Sequence, residues 1–242
     1  MKVLTITGVG PGDPSLLTLA AVDAIKESTV VSYPVSTWGG ESLAEKIASK
    51  WITKDKKKLP LLFPMVDDQN TLKSAWRVAG KKLMKMVCGG ERVVFLSQGD
   101  ISLFSTGSYL SKELEKYHRE CIVKLIPGIT SFSAAAAKSR LPLAFQDEQL
   151  LVLPVPNSYD ELKDILTDAS SKKRVVVLLK LGKKWEWVKP LLEELDLIKN
   201  STFAEKVGFS DQQILSASHL PSSIRPYFSL LLIRQSWPLK MP

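Results

Sequence analysis

Residues 8–13 read Gly-Val-Gly-Pro-Gly-Asp and lie between an apolar run at 3–7 and an amphipathic stretch at 14–27. Glycines at alternate positions let a backbone turn sharply and come close to whatever lies above the strand. Asp13 is placed to cap the following helix, and Pro14 suits its first turn. What chemistry such a loop could do depends on spacing. A phosphate-cradling loop needs Gly-x-x-x-x-Gly-Lys-Ser/Thr. Here the residue after the last glycine is Asp13, so the lysine and the hydroxyl are missing. A dinucleotide loop needs Gly-x-Gly-x-x-Gly and an acid about 20 residues further on. Gly8, Gly10 and Gly12 have the wrong interval, and the next apolar run ends in Ser-Tyr-Pro. Asp13 at the helix entrance would also repel a phosphate. Two uses stay open: a tight structural turn, or close approach to a ligand that is not a nucleotide phosphate.

Two later stretches have the same strand-to-loop-to-helix form. Residues 93–107 read VVFLSQGDISLFSTG, in which Gly99 permits close backbone approach. Asp100 could orient an amine or hydroxyl, or close an Asx-type turn. Residues 127–137 read PGITSFSAAAA, where Thr130 or Ser131 can cap a small-residue helix. Its alanines suit either a tight helix–sheet contact or room for a bulky flat ligand. His118 and His219 are isolated, and no Ser/His/Asp order, HExxH or carboxylate pair stands out. Chemistry would then come from a reactive cofactor and from placement, not from a strong protein nucleophile. Cys88 and Cys121 form no CxxC, so no metal site is expected and both are read as buried small apolar residues.

The elements that must position these loops alternate along the chain. Strand-like runs fall at 3–7, 29–33, 92–98, 121–126, 149–153, 174–181, 201–207, 212–216 and 227–234, and helical patterns at 14–27, 41–51, 70–88, 106–117, 131–139, 159–170 and 184–195. This is α/β alternation. Continuous apolar strands such as 175–179 predict a sheet covered on both faces. The last third carries consecutive strands, so its sheet is expected to be mixed. A boundary is expected near 117–121, giving domains 1–118 and 119–242, and residues 237–242 are expected to be loosely held.

An apolar content of 45% is ample for a core, and no apolar run reaches the roughly 18 residues of a membrane span. The chain opens on a strand pattern without a basic-then-apolar signal, so a cytoplasmic location is expected. The net charge of +8 favours an acidic partner. Its lysines gather at 54–58, 81–82, 172–174 (with Arg174) and 183–184, and each run reads as a solvated loop or helix end. No aromatic residues interleave with them as a single-strand nucleic-acid binder would need. A small polyanionic substrate fits the charge, and nucleic acid is not indicated.

GVGPGDPSLLTLAAVDAI at the start, GDISLFST in the middle and PGITSFSAAAA after it, in that order, resemble the tetrapyrrole methylases, which use S-adenosylmethionine in cobalamin and sirohaem synthesis. The resemblance covers essentially the whole chain. SYPVS, LLFPMVDD (61–68), LLKLGK (178–183) and YFSLLLIR are most similar to the branch that methylates C20 of precorrin-2. The resemblance implies two α/β domains with the active site in the cleft between them, and usually a homodimer. It implies S-adenosylmethionine as methyl donor, S-adenosylhomocysteine as product, and a polycarboxylate tetrapyrrole as substrate. By the same resemblance Gly99, Asp100 and Ile101 line the donor site with Phe104 nearby, Thr130 and Ser131 contact it, Leu181, Gly208, Phe228 and Ser229 match further contacts, and Pro11 marks where the first loop approaches. The family usually has Gly-Asp-Pro where this chain has Gly99-Asp100-Ile101, so the loop gains a backbone N–H and a freer φ. No residue is singled out as the catalytic base. Arg77, Arg140 and Arg225 are candidates, by type alone, for holding substrate carboxylates. Other ring positions on the tetrapyrrole, ribosomal RNA methylation on the same scaffold, and a donor-binding module without catalysis are the alternatives.

Overall fold

The computed structural model describes residues 2–235, so the expectation for 237–242 lies outside the described residues. The chain divides into two compact units, Met1–Thr130 and Ser131–Pro242.

The first unit runs β1 (Lys2–Gly8), α1 (Leu19–Glu27), β2 (Val30–Val35), α2 (Leu43–Ala48), β3 (Lys57–Leu62), α3 (Gln69–Cys88), β4 (Val93–Ser97), α4 (Thr106–Tyr117) and β5 (Cys121–Ile126). Its strands form one parallel sheet in the order β3-β2-β4-β1-β5. Every residue of β4 is buried, as an apolar central strand between helix layers requires. Leu4, Ile6, Val30 and Phe95 from the sheet pack with Leu83, Leu110 and Leu114 from α3 and α4.

Four local features differ from the sequence expectation. Residues 14–27 do not form one helix: Asp13 caps a short 3-10 turn at Pro14–Leu16, Leu17 is extended, and Thr18 caps α1 by accepting from the Ala21 N–H. β3 was not expected, because Lys-Lys-Leu-Pro reads as a solvated run. It is an edge strand, where a proline opposite Tyr33 costs no ladder bond on the open side. Lys56, in the same basic run, is buried. Its ammonium donates to the Lys26 and Ser28 carbonyls at 2.7 and 2.6 Å, closing the carboxyl end of α1. Cys121 is buried, but Cys88, the last residue of α3, is exposed. Burial pushes the Cys121 thiol pKa up.

β5 pairs with β1 from Lys2↔Cys121 to Thr7↔Ile126. The strand expected to open the second domain at 119 is therefore hydrogen-bonded into the first sheet, and the first unit runs on to Thr130. Nonlocal pairing places it there, and no change of composition marks the point.

The second unit holds α5 (Ser131–Ser139), β6 (Gln149–Pro154), α6 (Tyr159–Ser171), β7 (Arg174–Leu179), α7 (Trp185–Glu194), β8 (Ser201–Glu205), β9 (Gln213–Ser216) and β10 (Ser229–Ile233). The sheet order is β6-β7-β10-β8-β9. β6 and β7 are parallel and the other pairs antiparallel, so the sheet is mixed. Its core centres on Trp185, whose ring lies 5.6 Å from that of Phe203 and whose indole N–H donates to the Pro221 carbonyl at 2.9 Å. Ala134, Ala135 and Ala136 bury one side of α5, which packs on β9 and β10. The alanines thus serve a tight helix–sheet contact. Among the described residues no helix is long and apolar enough to cross a membrane, and no group of His, Cys, Asp or Glu gathers as metal ligands would.

Candidate functional site

In the first unit the parallel register brings the ends of β1, β4 and β5 side by side, with Gly8 opposite Ser97 and Thr7 opposite Ile126. The loops that follow them cross. Gly10 and Gly99 exchange N–H···O bonds at 3.2 and 2.8 Å, and the Gln98 amide donates to the Pro11 carbonyl at 3.3 Å. Gly8 and Gly128 meet beneath this bridge. A Cβ on Gly128 would stand 2.3 Å from the Gly99 carbonyl oxygen, and one on Gly8 would stand 2.7 Å from the Gly128 nitrogen. Only glycine at both positions lets the three backbones approach so closely.

Asp100 fastens the crossing. Its carboxylate accepts from the Gly128 N–H and the Ser102 N–H, each at 2.8 Å, and from the Ser102 hydroxyl. Burial works against its charge, but the Ser102 hydroxyl and the Gly128, Ser102 and Ile101 N–H groups outweigh it, so its pKa lies below the usual carboxylate value. Asp100 therefore closes an Asx-type turn and also reaches across to the β5 loop. Ile101 is buried in the core cluster, and its carbonyl accepts the Ser108 hydroxyl. Phe104 is 43% exposed and holds a φ of 48°. Pro11 is buried, and Thr130 ends the unit.

In the second unit Ser131 begins α5, Leu181, Phe228 and Ser229 come together where β7 ends and β10 begins, and Gly208 lies three residues beyond the end of β8. The Lys180 and Leu181 N–H groups both donate to the Ser229 carbonyl, at 3.1 and 3.4 Å, and the Lys206 N–H donates to that of Phe228 at 2.9 Å. The Gly208 N–H is taken by the Gln212 side chain at 2.8 Å. Phe228 is 47% exposed beside Tyr227, with ring centroids 5.3 Å apart.

These loop ends carry backbone strain. Lys180 and Lys206 take φ of 62° and 49°, next to Gly182 and Gly208 at 50° and 88°, and Phe104 follows Gly99 at 71°. Bulky residues held in the left-handed region cost free energy and mark places where function or surrounding contacts demand it. Among the described residues four other non-glycine residues with positive φ, Arg140 and Lys173 included, lie in other loops. Sequence reasoning missed Lys180, Lys206, Gln98 and Gln212, since nothing local announces them. Gly128 carried one cue, the Pro-Gly pair.

Of the three arginines singled out by type, Arg225 is already committed: it lies 2.7 Å from Glu205, with the two side chains 15% and 7% exposed. Arg77 stacks 4.3 Å from the Tyr117 ring centroid and 3.6 Å from Glu113. Arg140 is exposed at the end of α5.

The sequence model of the Tetrapyrrole (Corrin/Porphyrin) Methylases matches residues 3–220. The cobalamin biosynthesis protein CobIJ of Mycobacterium tuberculosis is 30% identical over 234 residues, covering 93% of this chain and 44% of that protein. The chain thus spans less than half of that relative's length. The cobalt-precorrin-2 C(20)-methyltransferase of Salmonella typhimurium is 28% identical over 230 residues, which is 94% of each chain. The crystal structure of uroporphyrin-III C-methyl transferase from Thermus thermophilus, complexed with S-adenyl homocysteine, shares the fold with a TM-score of 0.64 at 20% identity, covering 95% of this chain and 96% of that one.

Proposed function

The chain belongs to the tetrapyrrole (corrin/porphyrin) methylases, and from that premise we propose that it transfers a methyl group from S-adenosylmethionine to C20 of precorrin-2 or its cobalt-bearing counterpart. One observation carries the choice of ring position: the Salmonella typhimurium relative named for C20 methylation aligns with 94% of both chains. The sequence segments 61–68 and 178–183 support the same branch.

S-adenosylmethionine supplies an electrophilic methyl on a positively charged sulfur. The loops suit such a ligand. They offer glycine-lined backbone and the exposed side chains of Phe104 and Phe228, on which a purine can stack. Gly99, Asp100, Ile101, Phe104, Pro11 and Thr130 of the first unit, and Ser131, Leu181, Gly208, Phe228 and Ser229 of the second, are proposed as donor contacts. The work of these residues is placement. The crossing at Gly8, Gly99 and Gly128 and the three hydrogen bonds to Asp100 fix the loop before any ligand arrives, so little ordering entropy is lost on binding. Asp100 is poorly suited to take the C20 proton, because its donors hold it ionised and occupied. The net charge of +8 draws a polycarboxylate ring toward the protein, and exposed Arg140 is a better carboxylate partner than the committed Arg225.

A cytoplasmic location, and the homodimer that the resemblance implies, complete the proposal. Light scattering on the purified chain tests the dimer. The activity is tested by incubating the protein with labelled S-adenosylmethionine and either precorrin-2 or cobalt-factor II, then locating the new methyl by mass spectrometry and NMR. Label at C20 is expected. Label at another ring carbon would keep the family and defeat the C20 assignment.

A further inference from the structure

Residues 221–228 carry no helix or strand, yet they deliver Phe228 and Ser229 to the start of β10. Arg225 sits in the middle of this segment and binds two other loops. Its guanidinium donates from Nη2 and Nε to Glu205 Oε2, at 2.7 and 3.2 Å, and lies 5.3 Å from the Phe203 ring centroid. Its backbone N–H donates to the Gly182 carbonyl at 3.2 Å. Glu205 is the last residue of β8, directly before strained Lys206, and Gly182 directly follows Leu181. One residue thus ties the segment before β10 to the end of β8 and to the turn after β7. These are the loops on which Leu181, Gly208, Phe228 and Ser229, four of the second unit's proposed donor contacts, lie.

We infer that the Glu205–Arg225 pair is a positioning device for the methyl donor. It holds residues 221–228 so that the Phe228 and Ser229 carbonyls meet the N–H groups of Lys206, Lys180 and Leu181. An apolar pair would fill the same space, but the planar guanidinium fixes direction as well as distance. A buried ion pair of this kind is a device for geometry more than for stability. This inference rests on the donor reading above and adds to it the groups that set the shape of the loop.

The test uses the full chain and S-adenosylhomocysteine. Removing one charge would leave the other buried and unpaired, so Glu205→Gln and Arg225→Gln are combined, with Arg225→Lys as the conservative variant. Arg174→Gln breaks the Arg174–Asp168 pair elsewhere in the same unit and serves as the comparison. Calorimetry reads the Kd, and hydrogen exchange reads the amides of residues 221–229. The double variant is expected to raise the Kd at least tenfold and to speed exchange in that segment. Arg225→Lys should fall between it and wild type, and Arg174→Gln should leave the Kd unchanged. Unchanged exchange in the double variant, or an unchanged Kd in a chain that binds, overturns the positioning role alone. So does an equal loss of affinity in Arg174→Gln. A wild-type chain that binds no S-adenosylhomocysteine overturns the donor reading and the positioning role with it.

Discussion

Gly128→Ala tests the three-loop crossing directly. The new Cβ would lie 2.3 Å from the Gly99 carbonyl oxygen and 2.9 Å from two Gly8 backbone atoms, where ordinary contact begins at 3.4 Å. Backbone must therefore move by about 1 Å, since neither neighbour is a flexible side chain. Such a shift breaks the 2.8 Å hydrogen bond from the Gly128 N–H to Asp100. A hydrogen bond to a charged group contributes about 1.5–3 kcal/mol. Overpacking against a rigid neighbour adds about 1–3 kcal/mol. The loss is then about 2.5–6 kcal/mol. In a chain of this size each kcal/mol lowers Tm by about 2–4 °C, so a fall of about 5–24 °C is expected. Gly90→Ala separates sterics from backbone preference. Gly90 holds a φ of +86° with open space around it, so its replacement should cost only about 1 kcal/mol. Thermal unfolding followed by circular dichroism on both variants decides the matter. A Gly128→Ala protein no less stable than Gly90→Ala would refute the close approach.

Three further outcomes are expected. The Asp100 pKa lies below its unfolded value of about 3.9, so its stabilisation is complete above that pH and is lost as pH falls through the lower folded value. Acid unfolding of Asp100→Asn should therefore be less steep than that of wild type below about pH 4, and identical slopes would count against the carboxylate's role. Lys206→Gly relieves a left-handed residue and should raise stability by about 0.5–1 kcal/mol in urea unfolding. A variant destabilised by more than the roughly 1 kcal/mol that the exposed Lys206–Asp211 pair can contribute would show that no strain is stored there. Lys56→Met removes two hydrogen bonds from the carboxyl end of α1 and should cost about 2 kcal/mol in the same assay, whereas a neutral result would mean that Lys56 is solvated.

The glycine-rich turn after β1, the α/β alternation and the mixed second sheet were legible because each is written in short-range patterns: periodicity, turn residues, apolar runs. The same patterns misled where a neighbour in space overrules them. Lysines and a proline hid β3, which is tolerable only because that strand lies at a sheet edge. Lys56 looked solvated and is buried on the end of α1, and Arg225 looked available and is held by Glu205. Asp13 caps only a 3-10 turn, because Leu17 turns extended and Thr18 starts the helix afresh.

Family membership was likewise readable from three motifs and their order. What no local pattern could contain is that Gly8, Gly99 and Gly128, far apart in the chain, share one point in space. Nor could it contain that Lys180 and Lys206 must bend left-handed to reach the carbonyls of Ser229 and Phe228. Strand order and register decide which loop ends meet, and those are settled by long-range pairing and core packing, to which every segment contributes at once.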